Sequence, residues 1–321
     1  MTFTLGVDVG GTKIAAGLVA ADGTVECLSR RESPARDPEA IADSIADVVA
    51  ELSVGRDVVA LGLAPAGWLD LDRAQIMYAP NLAWRAEPLR RLVQERVDLP
   101  TVMENDANAA AWAEHRFGAG VGARVLLMVT IGTGIGGGLV IDGTVFHGGF
   151  GVATEPGHMR VVPGGRLCAC GLLGCWEAYG SGTALTVRAR ELAAEAPAAA
   201  TVLLDLAGGD VTAIDGPLVS DAATKGDRAA TQSFAELARW IGEGLASLAS
   251  VLDPDVVVVG GGVSESPNLD IEAVRSAFGP AESGAGHRPV PQIRRAVLGN
   301  TAGLIGAADL ARAAVEQRGR T

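Results

Sequence analysis

Apolar positions at the start of the chain come in short runs broken by glycine: FTLGVDVG (3–10), KIAAGLVA (13–20) and GTVECLSRR (23–31). Runs of this length between Gly-rich turns predict three strands in an antiparallel meander. The period then changes. Ile41, Ile45, Val48, Val49 and Leu52 recur at helical spacing behind Asp37, a capping side chain, and Pro38, which suits the first helical position. VVALGLA (58–64) predicts a buried strand ended by Pro65 and Gly67, and TVMEN (101–105) a short strand feeding the helix DANAAAWAEHRFG, which stops at Gly118. Phe234, Leu237, Ala238, Ile241, Leu245, Leu248 and Leu252 mark an amphipathic helix stopped by Asp253 and Pro254, after which DVVVVGGG (255–262) reads as a strand entering a glycine loop. Residues 190–230 read as helices and a surface loop, and 303–316 as a closing helix.

One pattern occurs twice. LGVDVGGTKIAAGLVAADGTV (5–25) and LMVTIGTGIGGGLVIDGTV (127–145) share the order apolar strand, Gly/Thr turn, apolar strand, DGTV. This predicts duplicated hairpins, each opening an α/β domain, with both glycine turns directed into a cleft between the domains. A length of 321 residues with 48% hydrophobic residues agrees with two domains. The formal charge of −12 argues against general nucleic-acid binding. Apolar runs stay well short of the roughly 18 to 20 residues that span a bilayer, so no membrane association is expected.

Neither glycine turn fits a familiar phosphate motif. GVDVGGTK lacks the GK[ST] order, and GTGIGG (132–137), although it matches G-x-G-x-x-G by letter, runs into a strand where the dinucleotide fingerprint must open a helix. Two readings stay open for Gly10, Gly11, Gly132 and Gly134: tight turns alone, or turns whose backbone N–H groups approach a phosphate. The matched pair, with GGG at 260–262, favours the second. Asp8, a carboxylate in an apolar run, can hydrogen-bond within its turn or reach the water shell of a Mg²⁺ that accompanies ATP.

ENDAN (104–108) packs two acids and two amides at a strand-to-helix junction. Asn105 or Asp106 can cap the helix, but capping occupies only one of them. A carboxylate at such a junction can accept a proton from a substrate hydroxyl while an amide holds that hydroxyl, which makes Asp106 the candidate general base for phosphoryl transfer. CACGLLGCWE (168–177) places three of the four cysteines within eight positions. Cys168, Cys170 and Cys175 supply three thiolates for a tetrahedral Zn²⁺, and a fourth ligand would come from His147 or His158, between which spacing does not choose. A redox pair or idle buried thiols is the alternative. Cys27 reads as a small apolar strand residue. The N-terminus has neither a basic start nor a cleavable apolar stretch, so reduced thiols and a cytoplasmic location are expected.

GVDVGGTKIAAG, APNLAW, ENDANAAAW, TIGTGIGGG, EPGHM, CACGLLGCWE and VVVVGGGVS occur in the order and approximate spacing of the ROK family of sugar kinases and repressors. From about residue 5 to residue 312 the chain most resembles the ATP-dependent glucokinases of that family from actinobacteria. The resemblance implies an actin-like two-domain α/β fold, with 1–110 plus 304–321 as a small domain and 111–303 as a large one carrying the zinc loop. It implies transfer of the γ-phosphate of ATP to the glucose 6-hydroxyl, with Asp106 as general base and Gly67, Asn81, Asn105, Glu155, His158 and Glu177 at the sugar. Thr12, Lys13, Thr133 and Gly134, with Gly11 and Asp8, match the phosphate and Mg²⁺ side, and Gly261 and Gly262 the adenosine side. The family pattern selects His158 as the fourth ligand of a structural Zn²⁺. A homo-oligomer, dimer or tetramer, is also expected. Rival readings are a kinase for N-acetylglucosamine, mannose or fructose, a polyphosphate-using enzyme, and a sugar-responsive repressor. The last would need a helix-turn-helix, for which about five residues before the first loop leave no room.

Overall fold

The computed structural model describes residues 2–79 and 84–319, and the chain divides into two compact units. The first comprises Met1–Met128, Gly138–Thr154 and Asn300–Thr321; the second Val129–Gly137 and Glu155–Gly299.

In the first unit β1 (Thr2–Val9), β2 (Lys13–Val19) and β3 (Val25–Glu32) form the expected antiparallel meander. α1 (Pro38–Ser53) follows. Asp37 caps it by accepting from the N–H groups of Glu39 and Ala40, and Ile41, Ile45, Val48 and Val49 are buried. Each such side chain contributes roughly 1.5 to 3 kcal/mol on burial, which decides the helix face. β4 (Asp57–Pro65) then pairs parallel with β1, beside three short strands, β5 (Trp68–Leu69), β6 (Ile76–Ala79) and β7 (Trp84–Glu87), that make a separate sheet. That small sheet has strands of two to four residues, too short for a period of two to register in the sequence. After α2 (Leu89–Gln94), β8 (Thr101–Met103) pairs parallel with β4, completing the order β3-β2-β1-β4-β8, and α3 (Asp106–Phe117) leaves from its end.

β9 (Val125–Ile131), β10 (Ile135–Ile141) and β11 (Thr144–Val145) repeat the meander. The unit boundary runs through β9 and β10, so that 125–128 and 138–141 belong to the first unit and the turn between the strands to the second. The second unit continues with α4 (Glu177–Gly180), α5 (Gly182–Glu195), α6 (Thr201–Leu206), α7 (Gly216–Thr224) and the 25-residue α8 (Arg228–Leu252). Asp253, left-handed at φ 46°, ends α8. β12 (Val256–Gly260), α9 (Ile271–Ala281) and β13 (Gln292–Arg295) complete a sheet ordered β11-β10-β9-β12-β13, with β12 and β13 parallel. Both five-stranded sheets thus run third, second, first strand of a meander and then two later strands, the duplication that the repeated glycine turns predict.

α10 (Ala302–Arg318) returns to the first unit and lies on β1, β4 and α3. It can do so only because glycines leave its path clear. A Cβ at Gly6 would stand 1.8 Å from the Leu304 carbonyl oxygen, and one at Gly62 1.9 Å from that of Ala307. At such distances the helix backbone itself would have to move.

Candidate active site

The first unit gathers the acid–amide residues at the start of α3. Asn105 is the N-cap: its Oδ1 accepts from the Asn108 N–H at 3.0 Å. Its Nδ2 donates to the Gly67 carbonyl at 3.1 Å and to Asp106 Oδ1 at 2.9 Å. Asp106 Oδ1 also accepts from the Ala107 N–H at 2.9 Å. Burial nonetheless pushes the Asp106 carboxyl up to about 6, against those hydrogen bonds. Asp8, near the end of β1, is pushed up to about 7, first by burial and then by the charge of Asp106, with Lys13 opposing. Both acids lie beside the first turn of α10, where a Cβ on Gly303 would be 3.8 Å from both the Asp106 carbonyl oxygen and Asp8 Cγ. Gly11 and Thr12 form the β1–β2 turn and Lys13 opens β2; the turn is closed by the Gly10 N–H donating to the Lys13 carbonyl at 3.0 Å.

Glu104, to which sequence reasoning gave no role, is the most heavily bonded member of ENDAN. It is buried, and its Oε1 accepts from the Asn105 N–H at 2.9 Å and from Asn108 Nδ2 at 3.1 Å. Arg73 Nε lies 3.6 Å from the same oxygen, and His147 Nε2 lies 2.7 Å from Oε2. Burial would raise this carboxyl, but His147 and Arg73 hold it below the usual glutamate range. His147 is therefore engaged in the first unit. The legible signal was an acid next to a cap; its partners come from distant parts of the chain.

In the second unit the loops 132–134 and 261–264 and the start of α5 meet. The Gly182 N–H donates to the Gly132 carbonyl at 2.8 Å, Thr183 Oγ1 to the Thr133 carbonyl at 2.7 Å, and the Val263 N–H to the Ile131 carbonyl at 3.0 Å. Thr133, Gly134, Gly261 and Gly262 are thus brought into one neighbourhood. Glu177 spans from this turn to the cysteines. Its Oε2 accepts from the Ile135 N–H at 2.9 Å, and Cys168 Sγ lies 3.6 Å from Oε1. A Cβ at Gly134 would be 2.1 Å from Glu177 Oε2, so glycine there makes room for the carboxylate.

His158, in the short 3-10 turn Pro156–His158 after Glu155, joins Cys168, Cys170 and Cys175 with all four ligand atoms within 4.8 Å of one another. Cys168 Sγ is 3.8 Å from His158 Nδ1, and Cys170 Sγ 3.7 Å from Cys175 Sγ. A tetrahedral Zn²⁺ with bonds of about 2.3 Å to sulfur requires ligand separations near 3.8 Å, so the set fits that ion. Burial pushes Cys168 up to about 12 and raises Cys175 as well, while Cys170, also opposed by burial, is lowered by the Leu172 N–H and the neighbouring thiols. A bound cation would deprotonate all three. Trp176, fully buried, fixes the loop to α8 by donating from Nε1 to the Trp240 carbonyl at 2.7 Å. Of the residues expected at a site, Asn81 falls outside the described ones. No helix among the described residues is long and apolar enough to cross a membrane.

A profile of the ROK family matches residues 4–314. A glucokinase of Streptomyces coelicolor is 48% identical over 97% of this chain and 98% of its own length. The crystal structure of a ROK family glucokinase from Streptomyces griseus, in complex with glucose and AMPPNP, is 50% identical, superposes with a TM-score of 0.88, and covers 97% of this chain and 99% of that one. An N-acetylmannosamine kinase of Escherichia coli is 33% identical over 81% of this chain and 83% of its own. The match runs through both sheets, the acid–amide junction and the cysteine loop, and the chain belongs to the ROK family.

Proposed function

We propose that the chain is an ATP-dependent glucokinase that transfers the γ-phosphoryl group of ATP to the 6-hydroxyl of glucose. The observation that carries this reading is Asp106: a half-buried carboxylate at the first position of α3, one oxygen held by Asn105 and Ala107, with a proton affinity raised toward neutrality. A general base works best when its pKa lies near the working pH. Asp106 takes the O6 proton as the O6–Pγ bond forms and the bond from Pγ to the bridging oxygen of ADP breaks. Full-length relatedness to the Streptomyces glucokinases supports the sugar and the donor.

Asn105, Gly67, Asn81, Glu155, His158 and Glu177 serve the sugar in this reading. Gly11, Thr12, Lys13, Thr133 and Gly134 serve the phosphates, and Gly261 and Gly262 the adenosine. Asp8 would reach the water shell of the Mg²⁺ that comes with ATP, an ion that would supply neutralisation of charge on the phosphates. Zn²⁺ on His158, Cys168, Cys170 and Cys175 would supply no chemistry beyond holding the loop. His158 would bind it through Nδ1, which leaves Nε2 for the sugar.

A coupled assay against glucose, mannose, fructose, N-acetylglucosamine and N-acetylmannosamine, with ATP and polyphosphate as donors, tests the reading. Glucose with ATP should give the highest kcat/KM, and Asp106→Asn should lower kcat by at least about 10³-fold while glucose still binds. The relatedness to an N-acetylmannosamine kinase makes that sugar the second reading; a preference for it would replace glucose and leave the role of Asp106 standing.

A further inference from the structure

The Glu104 carboxylate is fed from three directions. Arg73 comes from the turn between β5 and β6, where it stands at a left-handed φ of 52°; His147 comes from the segment after β11; Asn105 and Asn108 come from α3. Arg73 also ties two of these segments together, since its Nη1 donates to the Gly151 carbonyl at 2.8 Å and the Ala153 N–H donates to the His147 carbonyl at 3.1 Å. Among the described residues Glu104 is the carboxylate within ion-pair range of Arg73. Both hydrogen bonds accepted by Oε1 bear on the N-terminal turn of α3, one from the backbone of the cap residue and the other from the side chain three positions further along, while Arg73 pairs with the same oxygen.

We propose that Glu104 is a positioning residue for Asp106, clamped by His147 and Arg73. The inference rests on the reading of Asp106 given above. Holding the Asn105 N–H fixes the cap; the cap's amide in turn fixes both Asp106 Oδ1 and its own bond to Gly67. Misplacing a reacting group by about 1 Å costs on the order of 10²-fold in rate, so a carboxylate that never touches substrate can still set kcat. His147 acts on Oε2 only, so that its loss loosens the clamp without removing either bond to α3.

Glu104→Gln keeps an acceptor for Asn105 and Asn108 but leaves the Arg73 charge without its partner. It should lower kcat by about 10- to 100-fold with KM for ATP changed less than about twofold. Because that variant risks folding poorly, His147→Ala and His147→Gln provide a second series. Alanine should lower kcat several-fold, and glutamine, whose amide can donate to Oε2, should restore most of it. The decisive measurement is the cycle with Asp106→Asn. If Glu104 acts through Asp106, either change adds little to the loss already caused by Asp106→Asn. Fully multiplicative losses in the cycle, or unchanged kcat in both His147→Ala and Glu104→Gln, overturn the positioning role. Near-normal turnover by Asp106→Asn alone would instead overturn the reading of Asp106, whatever the Glu104 and His147 variants do.

Discussion

Asp106 sits where two influences oppose each other. At the first turn of a helix the macrodipole favours an anion, and Ala107 and Asn105 donate to it, yet burial raises its pKa from 3.8 to about 6. Asp8, raised to about 7, carries the same imbalance, and the two acids titrate as an interacting pair. kcat/KM should therefore fall below a midpoint between about pH 6 and 7, approaching tenfold per pH unit. The sign for stability follows from the same shifts. A carboxyl whose folded pKa lies above its unfolded one favours the native state fully below the unfolded value, and that contribution is lost as pH rises through the folded value. Asp106→Asn should then stabilise the chain relative to the parent at pH 8 by up to about 3 kcal/mol, and by much less at pH 4, in denaturant unfolding. An equal gain at both pH values would exclude burial of the charge as the cause. Glu104 works in the opposite direction: its lowered pKa adds stability above the usual glutamate range, lost as pH falls through its folded value.

At the scale of elements, the cysteine loop and the β9–β10 turn form one device. Trp176 anchors the loop to α8, and the next residue, Glu177, reaches the Ile135 N–H and lies over Gly134. A loop of this kind, rich in glycine and with Leu167 and Leu172 exposed, has little core of its own, so ligand–metal bonds would hold it. Metal analysis should find about one zinc per chain. Cys175→Ala should lose it and lower the unfolding temperature by on the order of 5 °C. Gly134→Ala should raise KM for glucose, because its Cβ would displace Glu177, which serves the sugar in the proposed reading. A metal-free chain with unchanged melting temperature would refute the clamp.

Across the whole molecule, the first unit is assembled from both ends of the chain: β1 and α10 are packed together, with Arg312 donating to Thr4 Oγ1 at 2.8 Å across 308 positions of sequence. Trp112 and Arg116 of α3 both donate to Asp309 of α10. Truncation after residue 300 should therefore strip hydrogen-exchange protection from β1 and β4 while α8 and β12, in the second unit, keep theirs. Equal protection in both units would show that α10 is dispensable to that core.

The meander, the α1 face, the long α8 with its stop at Asp253 and the duplication were legible because each is written in local spacing: alternating apolar runs, helical periods and turn residues within a few positions. Asp106 and Asn105 stood out as candidates because a junction of acids and amides exceeds what capping uses, and the cysteines because their spacing is short. The family pattern, rather than spacing, singled out His158; the structure then places His147 on Glu104 and His158 among the thiols. The β5–β7 sheet and the Glu104–Arg73–His147 clamp were not legible, since strands of a few residues carry no period and the clamp joins positions 31 and 43 residues apart from Glu104. The sequence determined which elements form and which residue types stand at their ends, because those depend on near neighbours along the chain. Only the tertiary structure decided which charge is buried against which, because desolvation and ion pairing depend on neighbours in space.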